Sequence, residues 1–173
     1  MGVAPSELGE FRVPPAGNFG GNMDIRHVNV GAKLWLPVQV KGALFSAGDC
    51  HAVQGDGELC VAIECAMSFT LRFNLYKGAH LPAPQFWTRK RRPLSDHDTD
   101  AGYFVTTCIG PDLMEDAKNA VRAMIDWLTS RYHLTPEEAY LLCCTVVDLR
   151  ISEIVNRPNW IISAYLPLCI FEN

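Results

Sequence analysis

The residues best suited to chemistry lie in one short stretch, from Gly48 to Glu58. It holds three carboxylates, one histidine, one glutamine and three glycines. Because glycine permits tight turns and close approach of the backbone, the composition predicts a loop whose path matters. Aspartate, histidine and glutamate are ligands that zinc and similar divalent ions accept, and the same side chains can carry protons in hydrolysis. This stretch is therefore the first candidate for a functional site.

Within this loop, Asp49 and His51 are separated by a single residue. Alternate side chains of an extended segment face the same side, so these two could coordinate one ion. The alternative is a structural turn in which both side chains bond backbone N–H groups. Gln54 could orient a substrate amide or could equally well make a hydrogen bond within the loop.

The chain as a whole has the size and composition of one globular domain, residues 1–173. It contains 49% hydrophobic and 20% charged residues, with a net charge of -4. This charge argues against a nucleic-acid partner, because phosphate binding needs a basic surface. Its apolar stretches are short and interrupted, so no membrane partner is expected. The seven cysteines include no C-x-x-C pair and are expected to be reduced thiols in the cytoplasm.

Hydrophobic periodicity predicts an α+β fold that is β-rich up to residue 108. Residues 1–22 are rich in glycine and proline and are expected to form an irregular leading segment. The region 32–108 is expected to form a sandwich-like antiparallel or mixed sheet. Residues 67–75 have the clearest period-two alternation and predict a half-exposed strand. The other predicted strands are 34–40, 58–64, 85–90 and 103–108.

The last third changes to helical periodicity. Asp112 can cap a first helix, and Thr135 with Glu138 forms a capping box for a second, with Pro136 at its first position. The two helices are expected within 112–147, and a closing strand within 160–168. Between them, Asp148, Arg150 and Glu153 lie in an apolar stretch and are expected to pair with one another.

Several linked motifs, in this order along the chain, resemble the acetamidase/formamidase family. They are FGGNMD at 19–24, GALFS at 42–46, GDCHAVQGDGE at 48–58, TT at 106–107, GPDL at 110–113, AMID at 123–126, VDLRISE at 147–153 and PNW at 158–160. The resemblance implies hydrolysis of short aliphatic amides, formamide or acetamide, to a carboxylate and ammonia. It also implies a divalent metal, with zinc expected and calcium as the alternative, in a homo-oligomeric enzyme.

On this resemblance the predicted site residues are Asp24, Asp49 and His51 as metal ligands or their supports. Glu58 is the predicted proton carrier or a further ligand, and Gln54 is the predicted contact for the substrate amide. A thiol amidase with Cys50 as nucleophile is a further alternative, although neighbouring residues of a strand point to opposite faces.

Family members are longer enzymes, and this chain resembles their C-terminal part. An alternative function is therefore a structural or regulatory subunit that needs a separate N-terminal amidase chain. A second acidic cluster, Asp96 with His97, Asp98 and Asp100, also has metal-ligand composition. Its polar setting lacks glycines and apolar walls, which favours a solvated loop.

Overall fold

The computed structural model describes residues 1–89 and 101–171, which form seven strands, two α-helices and a final 3₁₀ turn at Leu168–Phe171. The predicted α+β class is confirmed. In chain order the elements are β1 (Lys33–Trp35), β2 (His51–Val53), β3 (Ile63–Glu64), β4 (Gln85–Thr88), β5 (Tyr103–Gly110), α1 (Leu113–Tyr132), α2 (Pro136–Val146), β6 (Asp148–Glu153) and β7 (Trp160–Pro167).

Five strands form one antiparallel sheet in the order β1-β4-β5-β7-β6, while β2 and β3 form a separate two-stranded ladder. The long strands β5 and β7 pair over their full lengths at the centre, from Tyr103 opposite Pro167 to Gly110 opposite Trp160. Side chains alternate between the two faces of a strand. Tyr103 and Val105 therefore enter one apolar cluster, whereas Phe104 between them enters another.

The two helices cover one face of this sheet. Asp112 caps α1, since its side chain accepts hydrogen bonds from the backbone N–H groups of Met114 and Glu115 at 2.9 and 3.0 Å. Thr135 forms the predicted capping box at the start of α2. The apolar face of α1, including the buried Met124 and Leu128, packs on the sheet, and Trp127 stacks on Phe104 at 3.8 Å. Among the described residues, no helix is both long and apolar enough to cross a bilayer.

The irregular N-terminal segment covers the opposite face. Ala16, Met23 and Ile25 are buried there against a cluster that includes Phe86 and Tyr165. Because Met23 and Ile25 are both buried in this cluster, the backbone at Asp24 between them is anchored on both sides. The segment that lacks regular structure thus fixes one of the predicted ligands.

Three sequence predictions of strands are wrong in whole or in part. Residues 67–75 contain no strand and are exposed throughout, because alternation favours an extended backbone without providing the neighbour that a strand must pair with. The strand predicted at 34–40 ends at Trp35, before Pro37, which lacks the N–H group needed to continue the ladder. In the run 58–64 only Ile63–Glu64 pairs, since Glu58 and Ala62 adopt positive φ.

Candidate functional site

The structure brings together the three residues predicted to bind metal. One ligand atom each from Asp24, Asp49 and His51 lies within 4.8 Å of the others. Asp24 comes from the N-terminal segment, and His51 begins β2. Asp49 is exposed, whereas Asp24 and His51 are partly buried, so the cluster opens to solvent on the Asp49 side. Its role as a metal site stays a prediction.

Backbone strain concentrates at this cluster. Asp24, Asp49 and Glu58 have φ values of 48°, 56° and 34°, in the left-handed region that residues other than glycine seldom adopt. Each such residue costs of order 1 kcal/mol or more, and such residues are concentrated at functional sites. Three carboxylate residues of the candidate site therefore have unfavourable backbone conformations.

Glu58 lies beside His51, and both side chains are almost fully buried. Glu58 Oε1 is 3.7 Å from His51 Nε2. Among the described residues, neither His51 Nε2 nor Glu58 Oε2 finds a hydrogen-bond partner, although both atoms are buried. Buried polar atoms without partners are rare in folded proteins, so these two are candidates to contact a bound ion, water or substrate.

The carboxyl groups at the site repel one another. Burial raises the pKa of Glu58 to about 8, and the nearby carboxyl of Asp24, which shares a hydrogen bond with it, acts in the same direction. Burial likewise raises the pKa of Asp24, and the charge of Asp49 adds to that shift. A carboxyl group with a pKa near neutrality can both accept and release a proton, as the predicted role of Glu58 requires.

Two residues that were not predicted as site residues support the cluster from β6 and the turn after it. Asn156 Nδ2 donates a hydrogen bond to Asp24 Oδ2 at 2.9 Å, and the Asn156 backbone N–H donates to Glu153 Oε1 at 2.6 Å. Glu153 is fully buried, and burial raises its pKa. The Asn-Arg-Pro turn at 156–158 was the available signal for Asn156.

The loop that carries Glu58 is held at two points. Gly57 pairs with the end of β6 through the bonds Gly57 N–H to Ser152 O at 3.2 Å and Ile154 N–H to Gly57 O at 2.9 Å. Next to it, Asp56 Oδ2 accepts a hydrogen bond from Arg150 Nη1 at 3.2 Å. Arg150 thus pairs with the loop, and Asp148 lies 4.0 Å from the guanidinium.

A histidine outside the predicted site lies under the same loop. His27 Nδ1 is 2.9 Å from the Tyr165 hydroxyl and 3.7 Å from Asp56 Oδ1. Burial lowers the pKa of His27 to about 4. The imidazole is therefore neutral at physiological pH and serves as a hydrogen-bonding support for the loop.

Gln54 and Cys50 occupy different positions relative to the cluster. The Gln54 side-chain amide donates a hydrogen bond to the backbone carbonyl of Asp24, so it ties the loop to the N-terminal segment. Its carbonyl oxygen is not used in that bond, and its contact with a substrate amide stays a prediction.

Within the described chain no hydrogen bond joins Cys50 to His51. The second acidic cluster, 96–100, lies outside the described residues.

An antiparallel sheet with carboxylates and an imidazole gathered at one edge has the side chains that hydrolytic enzymes use. The sequence profile described as the Acetamidase/Formamidase family matches residues 6–173. The chain therefore belongs to this family, as its motifs indicated.

Individual relatives support this assignment. The chain is 35% identical over 149 residues to the acetamidase of Mycolicibacterium smegmatis, a match that covers 79% of this chain and 36% of the relative. It is 31% identical over 175 residues to the formamidase of Methylophilus methylotrophus, covering 95% of this chain and 42% of the relative. The crystal structure of an acetamidase from Bacillus halodurans superposes with a TM-score of 0.82 at 35% identity, covering 99% of this chain and 54% of that one. The chain thus spans about half or less of the length of these relatives.

Proposed function

We propose that this chain carries the metal-assisted site of an amidase that hydrolyses short aliphatic amides, formamide or acetamide, to a carboxylate and ammonia. The observation that carries the proposal is the convergence of Asp24, Asp49 and His51, with Glu58 3.7 Å from the imidazole. Membership of a family that includes an acetamidase and a formamidase supports the choice of substrate.

The donor set suits a divalent cation. Two carboxylates and one imidazole are ligand types that zinc accepts, and within the described chain His51 Nε2 has no hydrogen-bond partner, so this nitrogen is available to coordinate an ion. Calcium prefers six to eight oxygen ligands, so the imidazole favours zinc. When bound, such an ion would polarise the amide carbonyl and lower the pKa of a water molecule.

The protein's own residues would then bind, orient and transfer protons. Glu58 in its ionised form takes a proton from the attacking water and delivers it to the leaving nitrogen, because its pKa lies near neutrality. Asn156 keeps the Asp24 carboxylate in place through its side-chain hydrogen bond. The Gln54 carbonyl is the proposed acceptor for the substrate N–H.

Metal binding is tested separately from catalysis. The purified chain is dialysed, its metal content measured, and zinc and calcium titrated calorimetrically. Removal of one ligand in His51→Ala should weaken zinc binding at least about tenfold. The matched control Glu137→Gln alters an exposed glutamate in the first turn of α2 and should bind like the parent. Equal zinc affinities in the two variants would contradict the assignment of His51.

Ammonia release from formamide and acetamide tests the catalytic part. Glu58→Gln should retain zinc and lose about 10²-fold or more in turnover, because proton transfer contributes that much to such reactions. Unchanged turnover would remove Glu58 from the mechanism. Zinc binding without ammonia release by the parent chain would instead support the non-catalytic alternative and overturn the catalytic proposal.

We also propose a cytoplasmic location and a homo-oligomeric state. The seven cysteines are an odd number and include no C-x-x-C pair, a pattern typical of proteins from a reducing compartment. Sedimentation of the purified chain tests the oligomeric state.

A further inference from the structure

The longest exposed run of the molecule begins immediately after the candidate site. Every residue from 59 to 80 is exposed. Within this run the segment 67–75, which we call the docking segment, places large apolar side chains in solvent. Phe69, Leu71 and Phe73 are 52%, 38% and 66% exposed.

Single exposed apolar residues are ordinary, but a continuous series of them marks an interaction surface. In the docking segment the apolar residues alternate with Ser68, Thr70, Arg72 and Asn74. Such a pattern suits a strand with one face buried against a core and the other facing water. The described part of the chain supplies one aromatic contact to this face, Phe45 against Phe73 at 4.9 Å between ring centroids. The segment thus has the sequence pattern of a sheet strand, but no strand of the described chain pairs with it.

The similarity to longer relatives indicates what covers this surface. The chain matches 36% and 42% of the lengths of two curated relatives and 54% of the crystallised acetamidase, whose fold it shares at a TM-score of 0.82. We infer that the docking segment pairs, as an added β-strand, with the part of an acetamidase/formamidase polypeptide that this chain does not match. Main-chain hydrogen bonds would supply affinity, and pockets for alternate side chains would supply specificity.

This pairing would also place the partner beside the candidate site. The docking segment follows β3, in which Glu64 pairs with His51 of β2. The cluster opens to solvent at Asp49, and a shallow cleft at the same edge is lined by Asp49, Cys50, Glu64 and Cys65. A partner strand on residues 67–75 would therefore close the exposed side of the cluster. The inference rests on family membership and on these exposures, not on the proposed chemistry.

The test supplies, as a second polypeptide, the part of a relative that this chain does not match. The part of the Bacillus halodurans acetamidase that this chain does not match is produced as a separate polypeptide and mixed with the chain. Binding is followed by calorimetry and by hydrogen exchange of the backbone amides. We expect an equimolar complex in which exchange at 67–75 slows by at least about tenfold, as amides enter a ladder.

Substitutions on the two faces provide matched controls. Leu71→Asp and Phe69→Asp should weaken binding at least about tenfold, since each puts a charge into the buried face, whereas Thr70→Asp on the polar face should bind like the parent. All three residues are exposed, so each variant should keep the thermal midpoint of the isolated chain. Equal weakening by Thr70→Asp and Leu71→Asp would overturn the inference.

Two further outcomes are decisive. Protection of 67–75 that rises with the concentration of the chain alone would identify a second copy as the occupant and overturn the proposal. Where the separate polypeptide does not fold, the same part is joined to this chain in the order found in the relative, and exchange is measured in the fusion. Fast exchange at 67–75 in a folded fusion would refute the pairing, even if zinc binding and ammonia release remained as proposed.

Discussion

We expect the free energy of unfolding of the metal-free protein to fall as pH rises. Replacing Glu58 with glutamine should make this fall smaller. Burial raises the pKa of Glu58 from 4.5 to about 8. Between those values the folded state keeps a proton that the unfolded state releases, so the contribution is fully present below about pH 4.5 and is lost by about pH 8. Glutamine is neutral throughout and removes this dependence.

The magnitude follows from the size of the pKa shift. One pKa unit corresponds to about 1.4 kcal/mol. Between about pH 5 and about pH 7.5 the loss attributable to Glu58 is at most about 3 kcal/mol. For a chain of 173 residues each kcal/mol moves the midpoint by about 2–4 °C, so the parent should lose up to about 12 °C.

Thermal unfolding followed by circular dichroism, with a chelator present, measures this difference. The parent, Glu58→Gln and the exposed control Glu137→Gln are compared across the same pH range. The control should follow the parent, and Glu58→Gln should show the smaller fall. If the Glu58→Gln and parent curves remain parallel from about pH 5 to about pH 8, the argument that Glu58 is protonated in the fold fails.

Three other substitutions test how the loop and helices are held, each by urea unfolding. Arg150→Met removes the partner of Asp56 and should cost about 2 kcal/mol, because a partly buried carboxylate loses its counter-charge; a loss under about 0.5 kcal/mol would contradict this. Gly57→Ala should cost about 1–2 kcal/mol, since φ is 92° there, whereas Gly55→Ala, without a positive φ, should cost less. Thr135→Ala should cost about 1 kcal/mol through loss of the capping box, and an unchanged midpoint would refute that role.

Local signals in the sequence predicted the helices and the central strands. The caps at Asp112 and Thr135 depend on side chains within three residues of the helix start, so they can be identified without tertiary information. Strand partners are different, because pairing depends on residues far along the chain. The alternation at 67–75 therefore predicted a strand that the described chain cannot complete, and β6, with its charged residues Asp148 and Arg150, was missed.

The site was predictable only where residues lie close in sequence or share a family motif. Asp49, His51 and Glu58 fall in one loop, and Asp24 entered through the resemblance. Asn156 lies 132 residues from the Asp24 carboxylate it contacts, and no periodicity links the two. Asn156 reaches the site because the end of β6 lies beside Gly57, through the bridge between Gly57 and Glu153.

The electrostatics that disfavour the metal-free site are the same ones that would favour a cation. Asp24, Asp49 and Glu153 each raise the pKa of Glu58 through their charge, so the fold is destabilised by concentrating acids at one point. A divalent ion bound between these carboxylates would offset their mutual repulsion, because each carboxylate is attracted to the cation.

Neutralising one of these acids should therefore have opposite effects on two measurements. We expect Asp49→Asn to raise the thermal midpoint of the chelated chain and to weaken zinc binding in calorimetry. Sites that bind ligands commonly lower stability in this way. If the loop is instead only a structural turn, Asp49→Asn should lower the thermal midpoint. The substitution would then remove a charged acceptor for backbone N–H groups and relieve no repulsion. A lower midpoint with unchanged zinc affinity would thus favour the turn and contradict the metal site.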